Sequence, residues 1–148
     1  MKIEEEIKQV KFKSPYQKAV INLIFTANWL QGHQQQFFKK FGLTNQQFNI
    51  LRILKGQSPK SISATEIKSR MLDKNSDVSR LLDRLALKGL INKVVCPNDK
   101  RAADISITTA GLDILSELDH KQKEIDTVLR LSADEAEILS NLLDKSRG

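Results

Sequence analysis

The middle of the chain carries the feature that most constrains its fold, a series of helix start signals followed at once by two strand-like segments. Thr44 precedes Gln47 by three residues, which is the spacing of a capping box and predicts the start of a helix. Ser63 and Glu66 repeat this pattern and open a short helix. Between these two helices, Gly56 to Ser61 is rich in glycine, serine and proline and predicts a loop.

A third short helix and a hairpin complete this middle part. The helix is predicted from Asn75 or Ser76 to Lys88, with one apolar face. Ile91 to Cys96 and Ala103 to Ile107 then have the character of strands, and Pro97 to Arg101 between them predicts a charged turn. Three short helices followed directly by a hairpin is the element order of a winged helix-turn-helix.

Longer helices are predicted on both sides of this part. The first runs from Pro15 to about Lys40, with Ser14 as its cap and apolar residues at three-to-four spacing. A helix from Thr108 or Thr109 as far as Leu129 and a last helix from Ser132 to about Lys145 follow the hairpin. The first of these helices would be roughly 40 Å long. A helix of that length in a chain of 148 residues is expected to project and to need a partner.

The distribution of charge indicates what the middle part binds. Residues 37–107 hold fourteen Lys and Arg against six Asp and Glu, net +8, whereas residues 108–148 hold five against nine, net −4. A basic middle between non-basic arms is typical of a nucleic-acid-binding module. We therefore expect a mainly α protein with a small β-hairpin. Residues 43–107 are expected to form the winged-helix DNA-binding region, with residues 1–42 and 108–148 as a helical dimerisation region in one intertwined domain.

Polar residues on the third short helix and at the hairpin tip are the candidates for DNA contacts. The major groove is about 12 Å wide and accepts one helix, whose Ser and Arg side chains can bond base edges or phosphates. An Arg on a narrow turn can reach the minor groove, with Asp99 holding it in place. Each feature alone is more typical of a plain solvated surface, and their order favours DNA. The candidates are Asn75, Ser76, Ser79, Arg80 and Arg84 on the helix and Asn98, Asp99, Lys100 and Arg101 in the wing.

Four segments carry a resemblance to a known family. They are LTNQQFNILRIL at 43–54, VSRLLDRLALKGLINK at 78–93, PNDKRA at 97–102 and ISITTAGLDIL at 105–115. With them, about half of the chain closely resembles the multiple-antibiotic-resistance regulator (MarR) family. In this resemblance Asp99 and Arg101 match the wing motif of the family. Ser76, Ser79, Arg80 and Arg84 match its recognition helix.

The resemblance implies a homodimeric winged-helix transcriptional regulator that binds pseudo-palindromic double-stranded DNA near promoters. Members are often repressors released by a small ligand or an oxidant, so a small-molecule effector of unknown identity is expected. The dimer interface would be built from the first and the last two helices. Two features depart from the family. The stretch from Lys55 to Ser61 is longer and more polar than is common, and the chain lacks the cysteine that the peroxide-sensing branch has near the start of its first long helix.

Other functional classes are less well supported. Cys96 is the sole cysteine, which excludes an internal disulfide and a multi-cysteine zinc site, and a structural thiol is expected there. His33 and His120 lie on separate predicted helices, so neither a metal site nor a cofactor is predicted. Trp29 and the cluster Phe37, Phe38 and Phe41 are expected to be core or dimer contacts, with a ligand cavity as the alternative.

An enzyme is the weakest interpretation, because the sequence holds no Ser/His/Asp or Cys/His constellation and no glycine-rich phosphate loop. The main alternative is a winged-helix adaptor that binds protein or RNA instead of a DNA operator. Met1 to Val10 resembles neither a signal peptide nor a membrane span, so a cytoplasmic protein without membrane contact is expected.

Overall fold

The computed structural model describes residues 1–96 and 98–148, and at Cys96 and residues 99–102 it describes the backbone. These residues form two compact units, Met1–Leu112 and Asp113–Gly148. In chain order the elements are α1 (Ile3–Glu6), α2 (Pro15–Lys39), α3 (Asn45–Gln57), β1 (Ile62–Ser63), α4 (Ala64–Arg70), α5 (Val78–Leu87), β2 (Ile91–Cys96), β3 (Asp99–Ile107), α6 (Thr109–Asp119), α7 (Gln122–Asp126) and α8 (Ala133–Ser146).

The predicted helix caps are formed by local hydrogen bonds. Ser14 Oγ accepts from the Gln17 amide at 3.1 Å and starts α2. Reciprocal capping boxes open α3 at Thr44 and α8 at Ser132, and Ser63 caps α4. Each cap satisfies an amide that would otherwise lack an acceptor in the first turn. The predicted starts of these four helices are therefore confirmed.

Two predicted boundaries in the middle part are wrong. Helix α3 continues through Gly56 to Gln57, so the loop that follows it is shorter than predicted. Helix α5 begins at Val78, and Asp77 is its cap, accepting from the Arg80 amide at 3.2 Å. Asn75 and Ser76 consequently lie in the turn before the helix. Serine and aspartate are both good capping residues, and the second of two adjacent candidates is the one used here.

The C-terminal helices and the hairpin also differ from the prediction. The helix expected to run as far as Leu129 ends at Asp119, where the Lys121 amide bonds the Leu118 carbonyl at 3.0 Å. This tighter bonding closes the helix, and α7 restarts at Gln122. Strand β3 begins at Asp99 and not at Ala103, which shortens the turn. The short elements α1 and β1 were not predicted.

Three antiparallel strands in the order β1-β3-β2 form the sheet. Ile91 of β2 pairs with Ile107 of β3, and Ile62 of β1 pairs with Ile105. The register between β2 and β3 is irregular between Val95 and Cys96. Helices α3 and α4 contact β3, and α5 contacts β2, which places the core of the first unit between the helices and the sheet. The fully buried side chains of this core are Ile50, Leu51, Leu54, Ile67, Met71, Leu82, Leu85 and Ile105. The predicted fold, mainly α with a small β-hairpin, is confirmed.

Helix α2 buries little of its apolar surface. Of its 25 residues only Phe38 is buried, and the Phe38 ring stacks on Phe48 of α3 at 4.2 Å between centroids. The large apolar side chains of the helix that are exposed are Tyr16, Val20, Leu23, Ile24 and Trp29. Exposed apolar residues at helical spacing indicate a face that is covered by another surface. In the second unit, α8 likewise exposes Ile138, Leu139 and Leu142.

The segment before α2 is attached to that helix by an ion pair. Lys18 Nζ donates to Glu4 Oε1, and the same ammonium lies 5.7 Å from the centre of the Phe12 ring. The hydrogen bond from Lys18 lowers the pKa of the Glu4 carboxyl. Among the described residues, no helix is both long and apolar enough to cross a membrane.

Candidate nucleic-acid interface

Helix α5 has two chemically distinct faces. Val78, Leu82 and Leu85 are buried and attach the helix to the first unit, while its polar residues face solvent. The exposed polar residues are Ser79, Arg80, Asp83 and Arg84. Gly89 follows with φ +72°, and the Leu90 amide bonds the Leu85 carbonyl at 3.1 Å, which closes the helix as a glycine stop does. A rigid helix with two exposed arginines on its outer face is thus available to a partner.

The turn before α5 holds Asn75 and Ser76 in different environments. Asn75 is exposed, and its amide donates to Asp73 Oδ1 at 2.9 Å. Ser76 Oγ is buried and has no hydrogen-bond partner among the described residues. The prediction that Ser76 projects from the exposed face of the helix is therefore wrong, because its hydroxyl turns inward when the helix starts at Val78.

The charges on α5 differ in their pairing. Asp83 Oδ1 accepts from Lys93 Nζ of β2 at 2.7 Å, which joins the helix to the wing. Arg80 and Arg84 have no ion-pair partner among the side chains that the structure describes. Because Asp83 is neutralised by Lys93, it offsets the two arginines less than a free carboxylate would. The outer face of α5 is consequently electropositive and attracts anions.

Strands β2 and β3 form the wing beside α5. Lys93 pairs with Ile105 and Val94 with Asp104, so the hairpin continues outward from the sheet towards Asn98. Asn98 is exposed in the turn. The backbone of Asp99, Lys100 and Arg101 belongs to β3, and their side chains, like Pro97, lie outside the described residues. The structure therefore brings the predicted helix and wing into one unit, with contacts between α5 and β2.

Lys88, the residue after α5, connects three elements. Its ammonium donates to the Gly42 carbonyl, in the turn between α2 and α3, and to Gln47 Oε1 at 3.3 Å. Gln47 is buried, and the same oxygen accepts from the Thr44 amide at 3.1 Å. Lys88 thus joins the end of α5 to the point where α2 ends and α3 begins.

A groove lies against this connection. Leu43, Leu87 and the stem of Lys88 give it an apolar lining, and Lys39 and Arg84 place positive charge at it. Leu87 is 89% exposed, although it belongs to a helix with a well-formed apolar face. The groove is open to solvent, and its lining combines apolar side chains with nearby cations.

The roles of three residues at this interface were not predicted from the sequence. Asp77 could have been found, since an aspartate directly before an apolar helix is a common cap. Lys93 and Lys88 could not, because their partners lie 10 and 41 to 46 residues away in the chain. No group of three or more His, Cys, Asp or Glu that could hold a metal ion occurs among the described residues. The His33 ring packs against the Trp29 ring, with 4.5 Å between the ring centroids.

Comparison with known proteins identifies the family. Residues 43–103 match the model of the MarR family. The HTH-type transcriptional regulator MgrA of Staphylococcus aureus is 30% identical over 113 residues, which is 76% of each chain. The chain belongs to the MarR family. Its relatives are transcriptional regulators, so this MarR-family protein is a transcriptional regulator and not an enzyme.

Solved MarR structures share the fold. A MarR transcription factor from Planctomyces limnophilus is 29% identical with a TM-score of 0.69, over 90% of this chain and 98% of that chain. A mutant MarR from E. coli, complexed with operator DNA, is 26% identical with a TM-score of 0.70, over 84% and 91% of the two chains. The resemblance inferred from the four sequence segments is therefore confirmed.

Proposed function

We propose that this MarR-family regulator binds a pseudo-palindromic DNA operator as a homodimer and represses transcription until a small molecule releases it. The exposed, electropositive outer face of α5 is the observation that carries the proposal. Arg80 and Arg84 project from it without ion-pair partners among the described side chains, directly beside the wing. The related E. coli MarR was crystallised with operator DNA, which supports the same ligand here.

The contact residues of the proposed complex are on α5, before it and in the wing. Ser79, Arg80 and Arg84 would contact bases or phosphates in the major groove. The exposed Asn75 side chain would contact the sugar-phosphate backbone of the DNA. Asn98, Lys100 and Arg101 of the wing are proposed to reach the adjacent minor groove, where negative potential favours arginine, and Asp99 is proposed to hold Arg101 in place. Ser76 has no part in the proposed interface, because its hydroxyl is buried.

The proposed dimer uses residues 1–42 and 108–148. The exposed apolar face of α2 supports this assignment, because a long helix with a single buried residue needs a covering surface. Two copies related by a two-fold axis would place their α5 helices about 34 Å apart, in successive major grooves. A pseudo-palindromic operator follows from that symmetry. A cytoplasmic location follows from the same proposal, since a transcriptional regulator must reach its operator inside the cell.

Arg84→Ala tests the DNA interface. If Arg84 neutralises a phosphate, the variant binds its operator more weakly, and the slope of log affinity against log salt falls in magnitude by about 0.9. Fluorescence anisotropy with a labelled operator, chosen by selection from random duplexes with the natural protein, measures both quantities. Arg147→Ala, checked by light scattering for an unchanged mass, is the matched control, because it removes an exposed arginine that is paired with Asp144 on α8.

Two results would contradict DNA recognition by this face. One is an unchanged affinity and salt slope in Arg84→Ala and in Arg80→Ala. The other is displacement of the operator by structured RNA at lower concentration than by unlabelled operator, which would favour the adaptor alternative.

The groove at Leu43 and Leu87 supports a ligand-responsive regulator, because it lies against α5 and carries positive charge. A reporter gene placed under the selected operator tests both finer parts of the proposal. Loss of the regulator should raise expression from a repressed promoter, and a fall would indicate an activator. Compounds that raise the melting temperature of the protein should also lower operator occupancy. A compound library in which no stabilising compound changes occupancy would count against release by a ligand.

A further inference from the structure

We propose that Lys88 is a positioning residue for operator recognition, which fixes the orientation of α5 relative to α2 without touching DNA. This inference rests on the proposed DNA-binding function. Lys88 lies directly after α5, where a lysine that binds a phosphate would point its ammonium towards solvent. Instead the ammonium points back into the protein, towards the Gly42 carbonyl and Gln47 Oε1.

The acceptors that Lys88 uses are themselves held in place. Gly42 has φ +70°, and its amide bonds the Lys39 carbonyl at 3.0 Å, so its carbonyl direction is set by a tight turn. Leu43 is buried, and its amide bonds the Phe38 carbonyl at 3.2 Å. Gln47 is 3% exposed and also bonds the Thr44 amide. Lys88 therefore binds a rigid corner and not a mobile loop.

This corner is where the proposed dimerisation helix becomes the DNA-binding part. Asn45, the first residue of α3, donates from Nδ2 to the Gln31 carbonyl of α2 at 3.2 Å, which ties α3 back to α2. Lys88 then ties α5 to the same corner. Two polar contacts thus connect α2 to α5 by way of the corner: Asn45 joins α3 to α2, and Lys88 joins the end of α5 to Gly42 and Gln47.

The consequence for DNA binding is geometric. In a two-fold dimer the distance between the two α5 helices must match the spacing of the operator half-sites. A change in the angle between α2 and α5 moves the α5 helices of the two protomers in opposite directions. The change in the distance between the two α5 helices is therefore twice the displacement in one protomer. Two of the three ammonium donors of Lys88 are already used within the protein. Lys88 is therefore expected to set the distance between the two α5 helices and not to bind a phosphate.

Lys88→Met tests the inference, because it keeps most of the apolar stem and removes the ammonium. The expected result is operator binding that is roughly three- to tenfold weaker, with an unchanged salt slope. The preference for the natural half-site spacing over operators lengthened or shortened by one base pair should fall. A merely structural loss of folded protein lowers all three affinities equally and leaves this preference intact. Lys88→Arg, which keeps a cation that can reach the same acceptors, should restore most of the preference.

Lys60→Met is the matched control, because it removes one exposed lysine from the turn after α3, outside the proposed dimerisation region and the proposed DNA contacts. A salt slope reduced by about 0.9 in Lys88→Met would identify a phosphate contact and overturn the inference. An unchanged spacing preference would overturn it as well. These outcomes are distinguishable from failure of the proposed function, since in that case the natural protein would select no operator.

Discussion

Gly111, in the first turn of α6, is the only glycine of the described residues at which an added Cβ would meet other atoms within 4 Å, and it permits a prediction opposite to helix propensity. A Cβ atom built on it would lie 2.4 Å from the Leu90 carbonyl oxygen and 2.6 Å from Ile107 Cγ1. The Leu90 oxygen is not free to move, because it accepts from the Thr108 amide at 3.1 Å. Leu90 is also held by its own bond to Leu85. Only a residue without a side chain fits between α6 and the end of α5.

The expected change in the free energy of unfolding follows from one stabilising and two destabilising effects. Replacing Gly111 by alanine within a helix would by itself stabilise the protein by up to about 1 kcal/mol. Forcing a methyl group against a backbone oxygen and a packed isoleucine costs about 1 to 3 kcal/mol, as overpacking does. Displacing the Leu90 oxygen weakens its hydrogen bond from Thr108, at about 1 kcal/mol. We therefore expect Gly111→Ala to lower the free energy of unfolding by about 1 to 3 kcal/mol.

Urea denaturation followed by circular dichroism measures this change, at one protomer concentration for all variants because association shifts apparent stability. Gly56→Ala is the matched control. Gly56 lies in α3 and is exposed, and a Cβ there would meet nothing within 4 Å. It should leave stability unchanged or raise it by up to about 1 kcal/mol. If Gly111→Ala is as stable as the natural protein while Gly56→Ala behaves as expected, the close approach relaxes at no cost and the reasoning is refuted.

Two further predictions concern the recognition helix and the dimer. Asp77→Ala should lower the free energy of unfolding by about 1 kcal/mol because it removes the cap of α5, and Asp77→Ser should recover most of the loss in the same urea assay; equal losses in both variants would contradict the capping role. Ile24→Glu, on the exposed face of α2, should convert a dimer into a monomer of 16.8 kDa by light scattering. Leu72→Glu, which changes an exposed leucine outside α2, should leave the mass of a dimer unchanged. A dimer that persists in Ile24→Glu would place the interface elsewhere.

The parts of the fold that could be predicted are those decided by residues close together in the chain. Thr44 with Gln47 and Ser132 with Glu135 form reciprocal bonds across three residues, and both helices start where the sequence indicates. The alternation of Ala103, Ile105 and Ile107 likewise predicts a strand whose buried face includes Ile105. In these cases one local interaction satisfies the backbone whatever the rest of the chain does.

The parts of the fold that could not be predicted either carry no local sequence signal or depend on residues that are distant in the chain. Nothing in the composition around His120 marks a helix end, because no glycine or proline occurs there, yet α6 ends at Asp119. Strand β1 exists only because Ile62 meets Ile105, 43 residues further along the chain. A two-residue strand carries no periodicity of its own, so its pairing is a property of the folded unit.

Ser76 shows how a small boundary error changes a functional prediction. The sequence places Ser76 and Asp77 side by side, and either can cap a helix. Because Asp77 takes that role, α5 starts one residue later than a Ser76 cap would place it, and the Ser76 hydroxyl is turned inward. Arg80 and Arg84 are unaffected, since the apolar stripe of Val78, Leu82 and Leu85 fixes which face of α5 is buried. The hydrophobic pattern therefore determines the face that is proposed to meet DNA, whereas the cap determines which polar residues before the helix are available for that contact.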